Sequence, residues 1–139
     1  MESAANCLRT WLAESLEEGT VIGIDRLDGS PGSAAIFSAG GSRRGYLLGG
    51  RERLAFLLTR IFPYGGDPER NAKNLALLER LAADINRRDA AGDRPDPGDG
   101  RLCARVSAPE AGELAAIIGD GRGQYRLRIE LELLERSIS

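Results

Sequence analysis

A chain of 139 residues, 42% hydrophobic and 29% charged, has the make-up of one ordinary globular domain, able to bury roughly two-thirds of its unfolded surface. Its net charge of -2 supplies no general attraction to nucleic acid or to an anionic membrane, and the absence of His removes Ser-His and Cys-His nucleophile pairs and His-ligated zinc. Two cysteines are too few for a disulfide framework, no apolar run approaches the ~20 residues of a membrane span, and no signal-peptide pattern opens the chain, so it reads as soluble and intracellular.

The first predicted element is a helix over Ser3 to Leu16, with Ser3 as its N-cap and Cys7, Leu8, Trp11, Leu12 and Leu16 on one apolar stripe. Gly19 follows as a helix stop, and Thr20 to Ile24 is β-branched enough for a short strand. After the turn residues Asp28 to Gly32, Ser33 to Ser38 reads as a second strand, ended by Gly40 and Gly41. Arg43 to Leu48 is a short strand or part of a loop. Arg51 to Ile61 is apolar on both faces in its middle and is closed by Pro63, Gly65 and Gly66 before helical length, which favours a strand covered on both sides.

Asp67-Pro68 is a helix start, Asp as N-cap and Pro at the first position. The helix runs to Asp89, with Ala72, Leu75, Leu78, Ala82 and Ile85 on one stripe widened by Leu81. Residues 89–100 are a flexible polar linker with Pro95 and Pro97. Leu102 to Ser107 is a strand, and Gly119 to Gly123 a hairpin turn that pairs Glu113–Ile118 with Tyr125–Leu133. That last strand organises the rest. Tyr125, Leu127, Ile129, Leu131 and Leu133 make an apolar wall, while Arg126, Arg128, Glu130 and Glu132 make a charged one. The expected fold is a single α+β domain over residues 1–139, a mostly antiparallel sheet with an N-terminal helix and one long amphipathic helix packed on it.

Catalytic chemistry finds little footing. The Gly-rich stretches Gly40 to Gly45 and Gly119 to Gly123 lack the Gly-Lys-Ser/Thr ending of a phosphate loop and do not join a strand to a helix. Asp93, Asp96 and Asp99 are three apart, without the alternate oxygen ligands and distal Glu of a calcium loop. No acid/base pair, cofactor site or metal site emerges. Arg43, Arg44, Arg51 and Arg53 form the basic cluster, with Tyr46 its lone aromatic and no nucleic-acid-binding motif around it. Charge of alternating sign along a strand is either a solvated surface or a subunit interface, where it pairs with a symmetry mate and disfavours wrong registers. On the interface reading the candidates are Arg43, Arg44, Arg51 and Arg53, with Arg126, Arg128, Glu130 and Glu132; on the other, both groups are solvated charge.

Several stretches between Gly19 and Arg136 together resemble the minor capsid or tail-terminator family of long-tailed bacteriophages and prophages. They are Ser30-Pro-Gly-Ser-Ala-Ala-Ile36, the basic Gly-broken run Gly40 to Arg53, Asp67 to Ile85 with Asn71 and Asn74, and Ile118-Gly-Asp-Gly-Arg-Gly-Gln-Tyr-Arg-Leu-Arg-Ile-Glu-Leu131. Leu114 to Ile118 departs from the family's more polar or aromatic approach to that turn. The resemblance implies a non-catalytic α+β subunit that forms a ring, typically of six, on the end of the tail tube. There it stops polymerisation and meets head-completion proteins, first in the host cytoplasm and then in the virion tail. The family carries over no catalytic residues, and the interface candidates rest on exposed charge. The competing expectations are a small monomeric protein-binding or regulatory module, acting through residues 89–100, and an enzyme of unfamiliar type.

Overall fold

The computed structural model describes residues 3–46, 49–98, 100–119 and 121–135, and for residues 42–46 and 49 the backbone alone. In chain order the elements are α1 (Ala4–Leu12) with a 3-10 turn behind it (Ala13–Ser15), β1 (Ile22–Ile24), β2 (Ala34–Tyr46), β3 (Gly49–Pro63), α2 (Pro68–Ala90), β4 (Arg101–Ser107), β5 (Glu113–Ile117) and β6 (Arg122–Glu135). The α+β expectation holds: six strands form one sheet, antiparallel except where β1 runs parallel to β2, and both helices pack on the same face of it. Among the described residues no helix is long and apolar enough to cross a membrane.

The strand order is β1-β2-β3-β6-β4, with β5 also paired to β6. β3 occupies one side of β6 along almost its whole length. The other side is shared in tandem: β4 pairs with residues 130–135 and β5 with 123–126. The expected hairpin partner Glu113–Ile118 is present as β5, but it pairs with residues 123–126 and not on to Leu133, and Ala108 to Gly112 separate it from β4. Tyr125, Leu127, Ile129, Leu131 and Leu133 are all at or below 1% exposure, as the alternation requires. Each fully buried side chain of this size contributes about 1.5–3 kcal/mol over its exposed state.

Both helix starts follow their predicted caps. Ser3 Oγ accepts the Asn6 amide at 3.1 Å and Asp67 Oδ1 accepts that of Glu69 at 3.0 Å. The buried stripe of α2 differs from the expected one: it is Asn74, Leu78, Leu81, Ile85 and Arg88, while Ala72 and Leu75 face solvent. The two polar members explain the rotation. Asn74 Nδ2 donates to the Pro63 carbonyl at 2.7 Å and to Tyr125 Oη at 3.2 Å, and Arg88 runs under α1, so their hydrogen bonds satisfy groups that would otherwise be buried unpaired.

Two other expectations change. Gly40 and Gly41 do not end β2; a bulge between Ser38 and Gly41 carries it on to Tyr46, so Arg43 to Tyr46 belong to that strand, while Leu47 and Leu48 lie outside the described residues. β3 is a strand, as expected, but its second face has no helix over it. At one end that face is crossed by residues 25–32. The Arg26 carbonyl lies where a side chain on Gly23 would be, 2.2 Å from an added Cβ, and Arg122 Nη1 donates to the Gly29 carbonyl at 2.5 Å. This strap accompanies the burial of Ala35, Thr59 and Ile61 on the side away from the helices. Beyond it the face is open.

Candidate functional site

The open face is built by alternation alone. Even-numbered residues of β6 and odd-numbered residues of β3 point away from the helices, and the register sets Arg53 opposite Glu132, Ala55 opposite Glu130, Leu57 opposite Arg128 and Thr59 opposite Arg126. β4 adds Arg105 and Ser107 after a one-residue shift at its bulge, and β5 adds Glu113. Arg51, Arg53, Arg105, Arg126 and Arg128 share this face with Glu113, Glu130 and Glu132, in a chain whose net charge is -2. Arg51 Nε lies 2.9 Å from Glu132, Arg126 lies 2.7 Å from Glu113, and Arg128 lies 2.9 Å from Glu130. Exposed pairs of this kind contribute about 0–1 kcal/mol each, so they hold side chains in place more than they hold the fold together.

Arg53 and Arg105 form no ion pair among the described residues, and both are exposed. They flank a hollow of about 420 Å³ whose floor is Ala55 and whose rim includes Ala39, Pro109, Arg128, Glu130 and Glu132. The β2 bulge shapes one wall. Gly40 has φ +96°, and a Cβ on Gly41 would sit 2.4 Å from the Arg53 carbonyl, so the close approach of the two strands requires glycine there. The break between β4 and β5, at Pro109, shapes the opposite wall.

The helical side carries a second constellation. Arg88 is 6% exposed; its guanidinium stacks 3.8 Å from the Trp11 ring, donates to the Trp11 carbonyl at 2.9 Å and to Ser15 Oγ at 2.7 Å, and pairs with Glu14 at 3.0 Å and Asp93 at 2.6 Å. Trp11 Nε1 donates to the same Asp93 at 3.1 Å. The Arg88 hydrogen bond holds the Asp93 carboxyl below its usual range, and a hydrogen bond from Ser15 does the same for Asp84. Arg60, also buried, donates to the carbonyls of Ser33 and Gly32 and pairs with Glu17 at 3.3 Å. Burial pushes the Glu17 carboxyl up, but its own backbone hydrogen bond and Arg60 outweigh this and leave it lowered.

Between the 3-10 turn and α2 lies a groove of about 430 Å³. Leu16, Phe62, Leu77, Leu78 and Leu81 give it an apolar lining, and Glu14, Glu17, Asp84, Arg60 and Arg80 a charged border.

Of the residues singled out by sequence, Arg51, Arg53, Arg126, Arg128, Glu130 and Glu132 all fall on the open face. Arg51 and Arg53 of the basic cluster and the charged wall of β6, read separately, share one surface. The side chains of Arg43 and Arg44 lie outside the described residues. Arg105 and Glu113 were missed, since only the tandem pairing of β4 and β5 brings them here; a search for Arg opposite Glu in every allowed register would have found Glu113. Asp93 is held by Arg88 and Trp11, Asp96 caps the Gly98 amide, and Asp99 lies outside the described residues. The linker they occupy has more contacts than its composition suggests: Arg94 pairs with Asp89 at 2.6 Å, and Pro95 and Pro97 are buried. Both cysteines are buried, neither in a disulfide among the described residues, and burial pushes the Cys103 thiol up. No protein-family model matches the chain, and no curated protein matches it.

Proposed function

We propose that this chain is a structural assembly subunit of a phage or prophage virion, similar in role to a tail terminator. It forms a ring at the end of the tail tube, ends tube polymerisation there, and presents a surface to head-completion proteins. It acts without catalysis or cofactor, in the host cytoplasm during assembly and then in the virion tail. The observation that supports this reading is the open sheet face. Its ionic side chains are only partly paired within the chain, and two guanidiniums, those of Arg53 and Arg105, stand over a hollow without an ion-pair partner among the described residues. A protein neighbour of complementary charge covers such a face, sets register by it, and is excluded if its charges are misplaced. The resemblance of the terminal strand to the tail-terminator family points the same way. A monomeric module capturing partners through residues 89–100 has less support, because Asp93, Arg94, Pro95 and Pro97 tie that segment to the domain.

The test is solution mass by light scattering over a wide concentration range, with negative-stain images of the same samples, repeated with assembled tail tubes added. Closed rings of uniform size, free or on tube ends, are expected, and Arg128→Glu should weaken them. A monomer at every concentration that also ignores the tubes refutes the proposal.

A further inference from the structure

We infer that the hollow between Arg53 and Arg105 takes an extended acidic segment of a partner protein, one carboxylate on each guanidinium. The inference rests on the assembly reading above and names the chemistry of the neighbour that meets the open face.

Three adjacent strands set the geometry. Arg53 on β3 and Arg105 on β4 both lie opposite Glu132 of β6, one on each side of it. Two strand spacings, about 10 Å, therefore separate their backbones. The glutamates between them are already engaged: Glu132 by Arg51 at 2.9 Å, and Glu130 by Arg128 at 2.9 Å. Asp89, which also feels the Arg105 charge, is paired with Arg94 at 2.6 Å and accepts the Val106 amide at 3.0 Å. Arg51, Arg53, Arg105 and Arg128 against Glu130 and Glu132 leave an excess of two positive charges, on a chain whose net charge is -2. Two carboxylates complete the balance.

The shape selects how they arrive. The hollow, about 420 Å³, crosses β3, β6 and β4 between the β2 bulge and Pro109, with the small Ala55 in its floor and Ser107 adding a hydroxyl. That size suits several side chains better than a single inorganic ion. An extended chain sends every second side chain to the same side, about 7 Å apart, and the length of the arginine side chains covers the difference. Each planar guanidinium can then grip a carboxylate through two parallel hydrogen bonds. The segment lies over the face and does not extend the sheet, because the Val106 and Ala108 amides at the outer edge already go to Asp89 and Asn86. A nucleic-acid strand fits less well: its evenly spaced phosphates would meet Glu130 and Glu132 as well as the arginines.

The probe is a fluorescent seven-residue peptide of glycine and alanine with glutamates at its third and fifth positions, beside a counterpart with glutamines there. Fluorescence anisotropy with the unsubstituted full-length chain should show binding of the first, and binding should fall away for the second and in about 1 M salt, where the Debye length is about 3 Å. Arg53→Gln and Arg105→Gln, both at exposed positions and each checked for native circular dichroism, should weaken binding about fivefold singly and about 25-fold together. Arg70→Gln, at an exposed position of α2 on the other side of the sheet, should leave it unchanged. Equal binding of both peptides, binding of neither, or a loss with Arg70→Gln as large as with the hollow variants overturns the inference. So does inorganic phosphate displacing the peptide at equal concentration, which makes the hollow a small-anion site, or a single-stranded oligonucleotide binding more tightly than the acidic peptide. Self-association that depends on Arg53 and Arg105 in sedimentation velocity makes a second copy the occupant and also overturns it. A chain that forms rings but ignores the peptide loses this inference and keeps the assembly reading; failure of the assembly reading shows in the light-scattering test, where no peptide is present.

Discussion

Replacing Arg88 by Met isolates what one buried guanidinium does for the helix layer. Met keeps the apolar reach of the side chain and good helix propensity, so the change is confined to the head group. Lost are donation to the Trp11 carbonyl and Ser15 Oγ, the pairs with Glu14 and Asp93, and the stack on Trp11. Breaking a buried ion pair from one side typically costs about 3–5 kcal/mol, because a buried charge is left alone. Here the stranded carboxylates are not buried: the Glu14 and Asp93 side chains are 75% and 50% exposed, and water replaces the guanidinium. What remains is the Trp11 carbonyl without its donor and the lost stacking, about 1–3 and 0.5–2 kcal/mol. The expected destabilisation is therefore about 2.5 kcal/mol, a drop in Tm of roughly 10 °C for a domain of this size. Trp11 is the only tryptophan, so its fluorescence reports on this contact, while far-ultraviolet circular dichroism follows the sheet. Urea unfolding read by both signals gives the free energy. A variant within 0.5 kcal/mol of the unsubstituted protein refutes the argument, and Arg88→Lys, which keeps the charge without the planar fork, should fall between the two.

Leu127→Ala should cost about 3–4 kcal/mol in the same urea assay, since Leu127 is fully buried in the central strand and its neighbours can close only part of the cavity. Gly41→Ala should cost about 1–3 kcal/mol by thermal unfolding, because the new Cβ meets the Arg53 carbonyl, a backbone atom that moves only with its strand. Acid should destabilise in a defined window. Glu17, Asp84, Asp89 and Asp93 all have folded pKa values below their unfolded ones, so their contribution is full above pH ~5, where the unfolded carboxylates are ionised, and is lost as pH falls through the lower folded values. Asp89→Asn should accordingly be less stable than the unsubstituted protein at pH 7, with the gap narrowing as pH falls; a gap that stays constant into acid refutes the linkage.

Elements with strong period were legible in the sequence, and their lateral arrangement was not. β6 could be read because its two walls alternate without exception from Gln124 to Leu133, and the caps at Ser3 and Asp67 because each is a local hydrogen bond. The face of α2 was misread because Ala72 and Leu75 are apolar and Asn74 and Arg88 are not. Hydrophobic periodicity has no means of knowing that Pro63, Tyr125 and Trp11 offer partners to buried polar groups. The continuation of β2 past Gly40-Gly41 was missed because a bulge and a strand end carry the same residues. The candidate face was half legible: each strand showed its own charged side, but Arg53 lies opposite Glu132 and Arg126 opposite Glu113 only through registers that join distant segments.

The strand that pairs with β3, β4 and β5 alike is also the last of the six in chain order, and this bears on how the protein comes into being. While a ribosome makes the chain, β3 emerges with one long edge unpaired, and β4 and β5 emerge before the strand they share. β1, β2 and β3 can pair among themselves, but the rest of the sheet waits. It closes when β6 arrives, through pairings that reach from residue 134 back to residue 51, the kind of distant contact that makes folding slow and leaves edges open in the interval. A product stopped before the Gly119 turn lacks the partner of three strands at once, and with it the apolar wall of β6 that is buried in the core.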